Sequence, residues 1–247
     1  MIDRKQLEAV QRGNTAPGVN RLIIEQLISK WDAEQPGNLL DIPCGEGLFL
    51  DSVLRLLPGL KTFGADIRTP KSGFQHEYVQ IDASRQASLF EGKKFQIITC
   101  ISGVMEFDNT LSFFERLREQ LDVGGQLIVS NDNLLSVRDR ILYLLFGRHR
   151  QYKMAIPNDA PTWKIVPLQN LLRIMFEADL KVVEIKYVPP KTSDLLWSPL
   201  AALIYPFQYL YLRFAETSQD LSLKRSMFPF VSLLSRHYIV VCRPKAK

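Results

Sequence analysis

The chain has 247 residues, 46% of them hydrophobic and 23% charged, which excludes a disordered polypeptide and supplies apolar side chains for one large core. Its formal charge of +5 tilts the surface toward anionic partners such as phosphates or a membrane face. The cysteines Cys44, Cys100 and Cys242 lie far apart without metal-ligand spacing, so neither a disulfide framework nor a metal site is indicated. A reduced cytoplasmic compartment is the expectation, and the opening MIDRKQLEAVQRGN is charged where an export signal needs an apolar run.

In chain order, apolar spacing predicts a helix at 19–28, a strand at 38–43, a helix at 48–57, and strands at 61–67, 78–82 and 95–101. A helix at 111–121, a strand at 125–131, helices at 134–146 and 168–178, and strands at 181–188 and 238–242 follow. Strands alternating with helices imply an α/β fold, a mostly parallel doubly wound sheet covered on both faces. Its ligand site is expected at the carboxyl ends of the strands. No internal repeat or second domain is visible, so 1–247 reads as one domain.

The stretch 39 LLDIPCGEGLFL 50 falls at that end of the first strand, and its glycines would let a ligand approach the backbone. A dinucleotide fingerprint would need glycine where Pro43 and Leu48 stand, and no Walker loop occurs. Asp41 and Glu46 put acids where a pyrophosphate would need positive charge. A cationic ligand without phosphate suits that field better, and S-adenosylmethionine, with an ammonium and a sulfonium, is such a ligand.

Asp41, Gly45 and Gly47 in DIPCGEG, Asp66 in FGADI, Asp82 in QIDAS, the segment 100 CISGVMEF 107 and 121 LDVGGQLIVSNDN 133 follow one another at regular intervals. Together they resemble the motifs of class I S-adenosylmethionine-dependent methyltransferases, in the branch that methylates small molecules. The resemblance covers about 15–188 and implies a Rossmann-like sheet of seven strands whose last, at 238–242, is antiparallel. It implies cofactor contacts from Asp41, Pro43, Gly45 and Gly47, with Pro43 replacing a frequent glycine and expected to keep the turn's shape. It also implies that Asp66 and Ile67 hold the ribose, that Asp82 and Ala83 meet the adenine, and that Ile101 and Ser102 lie along the methionine part. Relatives often read Glu-His where this chain reads Glu106-Phe107. Arg21 resembles an arginine that meets the cofactor carboxylate in some relatives, but the preferred reading for it is a solvated helix charge.

An activated methyl donor asks the protein mainly to align the reacting atoms and exclude water, and a hydroxyl acceptor gains from a general base. His149, Glu106 and Asp132 are the candidates, whereas His76 and His237 read as surface or structural residues. No DPPY or NPPY string follows the fourth strand, which disfavours nucleic acid as acceptor and leaves oxygen as the preferred atom.

Residues 195–212 carry no charge and touch the length of a membrane span. The flanking strands belong to one sheet, so the segment must return, and 189–236 is read as an apolar helical insertion within the domain. A lid or homodimer surface, a monotopic membrane contact and a re-entrant span remain open for it. Arg148, His149, Arg150 and Lys153 form either a site for anionic head groups or a phosphorylated acceptor, or a charged loop. If both features act together, the acceptor is lipid-linked: a glycolipid, polyprenyl or quinone-type compound met at the inner face of a membrane. The alternatives are a non-catalytic cofactor-binding protein and a peripheral partner-binding subunit.

Overall fold

The computed structural model of the chain describes residues 4–83, 85, 89–150, 164–215 and 221–245. Among these, seven strands form one sheet: β1 (Gly37–Asp41), β2 (Leu60–Asp66), β3 (Glu77–Gln80), β4 (Phe95–Ile101), β5 (Leu121–Asp132), β6 (Leu180–Tyr187) and β7 (His237–Pro244). Their order is β3-β2-β1-β4-β5-β7-β6. Neighbours are parallel except the two pairs made by β7, which runs against β5 and β6. The helices are α1 (Arg4–Glu8), α2 (Val19–Ile28), α3 (Leu48–Leu56), α4 (Thr110–Gln120), α5 (Val137–Phe146), α6 (Leu168–Glu177), α7 (Ser198–Phe214) and α8 (Leu221–Met227). This is the predicted seven-stranded doubly wound sheet, with its last strand antiparallel.

The central strands are apolar at successive positions because both faces of the sheet are covered. Leu40, Ile98, Val129 and Val240 join the core that also takes in Phe113 of α4 and Leu171 of α6. Their neighbours Leu39, Ile97, Ile128 and Ile239 join the opposite core with Ile23 of α2 and Leu50 of α3. Alternation along each strand thus divides the side chains between two cores, each fully buried leucine or isoleucine contributing about 1.5–3 kcal/mol.

Of the boundaries that differ from the expectation, two bear on the site. α5 starts at Val137 rather than 134, because the Asn133 side chain accepts the Leu135 N–H and Ser136 caps the helix by accepting the Asp139 N–H. β3 ends at Gln80, so Asp82 stands beyond the strand rather than in it. Between β6 and β7 come a 3-10 turn (Thr192–Trp197), α7, α8 and a second 3-10 turn (Phe230–Leu233). Pro199 lies in the first turn of α7, where a missing N–H costs nothing, and only Pro206 interrupts its hydrogen bonding. No described helix is long and apolar enough to cross a membrane.

Candidate functional site

A cavity of about 690 Å³ opens at the carboxyl ends of β1, β2, β4 and β5, within the size range of small-molecule sites. It is lined by Asp41, Pro43, Cys44 and Gly45 after β1, by Asp66, Ile67 and Arg68 after β2, and by Asp82 and Ala83 after β3. Ile101, Ser102, Glu106 and Phe107 line it after β4, Asp132 from β5 and His237 from β7. The segment ahead of α2 closes the rim with Arg12, Asn14 and Thr15.

The turn after β1 is shaped by backbone that side chains disfavour. Gly45 and Gly47 have φ of 54° and 81°, in the left-handed region open to glycine. The Gly45 N–H donates to Asp66 Oδ2 at 2.8 Å and the Arg68 N–H donates to Asp66 Oδ1 at 3.0 Å. One carboxylate thus fastens the β1 turn to the β2 end and still has acceptor capacity for a ligand. Gly103 fits under Pro43 so closely that a Cβ there would stand 2.3 Å from the proline Cδ. Ser102 adopts a φ of 58°, held by its N–H to Ser130 Oγ at 3.0 Å and by a 2.8 Å hydroxyl contact with Thr15.

Asp41 is not the standing negative charge that the loop sequence suggests. Burial pushes its carboxyl up to about 8, with Asp66 adding repulsion and a hydrogen bond from the Thr99 hydroxyl opposing. The Thr99 bond, 2.7 Å to Asp41 Oδ1, holds the group in the sheet beneath the turn. At neutral pH the carboxyl is protonated, and the negative charge at this edge rests on the other acids. A raised folded pKa means the native state holds one proton more than the unfolded chain between about pH 4 and pH 8. The stability it contributes is complete below that window and is lost as pH rises through it. An Asp41→Asn variant is therefore expected to keep its Tm better than the parent from pH 5 to pH 9, by on the order of 10 °C, since about three pH units below the raised pKa correspond to about 4 kcal/mol and 1 kcal/mol moves Tm by about 2–4 °C. Parallel Tm profiles in a thermal-unfolding series would contradict this.

The other expected residues separate. Glu106 lines the cavity, and burial raises its carboxyl above the usual range, Arg68 opposing and Asp66 adding. Gly47 is outside the lining and caps α3; a Cβ on it would meet the Phe74 ring at 2.7 Å. His149 is not brought to the cavity: its ring stacks on Tyr143 of α5 with centroids 4.8 Å apart. Arg150 is not a solvated charge but largely covered, donating to Asp132 and Asp139. Lys153 lies outside the described residues. Arg21 pairs with Glu25 on the outer face of α2 at 2.8 Å, away from the cavity. His76 is structural, its ring joining Thr62 Oγ1 at 2.7 Å to Asp51 Oδ1 at 2.9 Å. Among the described residues no cluster of three or more ligating side chains could hold a metal.

The residue that sequence reasoning missed is His237. The antiparallel register of β5 and β7 sets it opposite Asp132, and its Nδ1 stands 3.2 Å from Asp132 Oδ1 without hydrogen-bond alignment. Burial lowers its pKa below the ordinary imidazole value; Asp132 opposes, while Arg150, Lys191 and Arg236 add to the lowering. The ring is therefore neutral at physiological pH and able to accept a proton.

A methyltransferase-domain family model matches residues 15–185. No curated protein matches the chain significantly. The fold is shared with an S-adenosylmethionine-dependent methyltransferase from Clostridium acetobutylicum, at 11% identity and a TM-score of 0.54, over 99% of this chain and 93% of that one. It is shared with phosphoethanolamine N-methyltransferase 2 of Haemonchus contortus in complex with S-adenosylmethionine, at 16% identity and a TM-score of 0.56, over 98% of this chain and 56% of that one. The O-methyltransferase of a trans-AT PKS multienzyme from Brevibacillus brevis, in complex with S-adenosylhomocysteine, gives 17% identity and a TM-score of 0.51, over 96% and 84% of the two chains. At these identities the solved structures establish the fold, and the family match, which spans more than half of the sequence, establishes that the chain belongs to the methyltransferase-domain family.

Proposed function

We propose that the chain transfers the methyl group of S-adenosylmethionine to an oxygen of a small-molecule or lipid-linked acceptor. The observation that carries this reading is Asp66, a carboxylate at the end of β2 that is fixed by two backbone N–H groups and lines the cavity. Its remaining lone pairs suit a ribose diol, and Asp82 further along the wall suits an adenine amino group. The left-handed Gly45 lets the backbone approach the ligand, and the acids of the lining suit a cation, so the residues present fit the cofactor. Bound there, S-adenosylmethionine supplies a methyl already activated by its sulfonium.

The protein's part is to hold the acceptor oxygen in line, exclude water and take the hydroxyl proton. His237 is the proton acceptor in this account. It lines the cavity at the β5 and β7 edge in its neutral form, and Asp132 beside it would stabilise the imidazolium that forms.

The lipid-linked branch of the acceptor class, and a membrane contact, are favoured by one surface. On α7, Ala201, Ile204 and Tyr205 pack against the protein, with Val137 and Ile141 of α5 in the same cluster. The opposite side of α7 presents Leu203, Phe207, Leu210 and Phe214, an apolar stripe at helical spacing that is exposed. α5 ends in the exposed run Tyr143, Leu144, Leu145 and Phe146, with Leu144 and Phe214 each 77% exposed. The Arg140 guanidinium donates to Gln208 at 2.8 Å and ties the two helices side by side. Among the described residues of 134–150 and 195–215 the sole acid, Asp139, is buried, while Arg213 is exposed beside the stripe. An exposed apolar face with Arg213 beside it suits the surface of an anionic bilayer.

Purified protein incubated with methyl-labelled S-adenosylmethionine should label a compound in a membrane lipid extract or a small-molecule extract, and float with vesicles containing anionic phospholipid. His237→Gln should slow the labelling by about 10²–10⁴-fold while retaining cofactor affinity. Label entering neither extract would defeat the acceptor assignment. Failure to float, or self-association through the stripe, would remove the membrane.

A further inference from the structure

Beside the cavity lies a smaller recess of about 200 Å³, and the two share Arg12 and His237 in their walls. The recess is also lined by Arg150, Lys191 and Arg236, with apolar side chains between them and no carboxylate. Two of these cations are paired with carboxylates that do not line the recess: Arg150 with Asp132 and Asp139, and Arg236, by a two-pronged contact at 2.7 Å, with Asp194. Arg12 and Lys191 have no carboxylate partner among the described residues. Arg12 donates its Nε to the Thr15 carbonyl at 2.7 Å, which leaves its terminal nitrogens for a ligand.

We propose that this recess binds a phosphate or phosphodiester group of the acceptor and so fixes which oxygen the acceptor presents to the cavity. The proposal rests on the methyl-transfer reading for its meaning, but not for its test. A planar guanidinium and an ammonium from residues that line one recess are the pair that phosphate recognition uses, the first for directed hydrogen bonds and the second as a point charge. The apolar side chains between them lower the local dielectric, which strengthens each contact with an anion. Position gives the site its consequence. An anion held between Arg12 and Lys191 would lie next to His237, so the rest of the acceptor would extend past the imidazole into the cavity. Arg150, Lys191 and Arg236 add to the burial that lowers the His237 pKa, and an anion seated among them would raise the basicity of the imidazole when the acceptor is in place.

The full chain, with and without saturating S-adenosylhomocysteine, would be titrated calorimetrically at low salt with two probes, glycerol 3-phosphate and the water-soluble dihexanoyl phosphatidic acid. Saturable binding of at least one probe is expected. Lys191→Glu should weaken it by 10-fold or more, and Arg12→Ala by a comparable factor. Lys191 is exposed, so its variant is expected to fold, and its thermal transition checks this. Tighter binding of dihexanoyl phosphatidic acid would assign the phosphate to a lipid headgroup, and equal or tighter binding of glycerol 3-phosphate to a soluble acceptor; either supports the site. No binding of either probe, or binding that Lys191→Glu leaves unchanged, overturns it. S-adenosylhomocysteine titrated alone reports the cofactor reading separately, so the two failures are distinguishable.

Discussion

Asp66→Ala is expected to weaken the binding of S-adenosylmethionine and S-adenosylhomocysteine by at least about 100-fold while the protein remains folded. Hydrogen bonds to a charged group contribute about 1.5–3 kcal/mol each, and loss of two to a ribose diol removes about 100-fold or more of affinity. The substitution also removes the acceptor of the Gly45 N–H, so the turn after β1 loses its tie to β2. Asp66→Asn keeps one carbonyl oxygen and turns the other position into a donor, so its affinity should fall between the two. Calorimetric titration of the three proteins checks the series, and equal affinities would mean that the ribose lies elsewhere.

Arg150→Met is expected to destabilise the protein by about 3–5 kcal/mol, because it leaves two buried carboxylates without their cation. The Arg150, Asp132 and Asp139 side chains are 12%, 4% and 1% exposed. Arg150 also donates to the Arg236 carbonyl at 2.6 Å, which ties the segment after α5 to the start of β7. In thermal unfolding this amounts to a fall in Tm of about 10 °C. Arg148→Met, two residues earlier and with no carboxylate partner among the described residues, should change stability by no more than about 0.5 kcal/mol. Adding Asp132→Asn and Asp139→Asn to Arg150→Met should recover part of the loss, since the unpaired charges are then gone. Equal effects for the two arginines in urea unfolding would refute the buried network.

The sheet was legible because its strands are apolar on both faces and short. Leu39, Leu40, Ile97, Ile98, Ile128 and Val129 leave no solvent face, and glycines or acids bound the runs. Much of the cavity wall was legible too, since one loop and three strand ends carry it within local sequence. Three features needed tertiary contacts that local sequence does not encode. The pairing of His237 with Asp132 comes from the β5–β7 register. The protonation of Asp41 comes from burial beneath the turn. Arg150 stands in a basic run that looks solvated, yet the chain reversal after α5 carries it back to two acids. In α7 the apolar composition was plain, but only packing separates the covered residues Ala201 and Ile204 from the exposed Leu203 and Phe207.

The central claim, that the cavity at the strand ends is a cofactor site, is tested most directly by calorimetric titration of the unmodified chain with S-adenosylhomocysteine. Saturable binding at one site per chain, lost in Asp66→Ala, is the predicted result. Folded protein that takes up no S-adenosylhomocysteine would contradict it, and the turn after β1 would then be no more than a connection between β1 and α3.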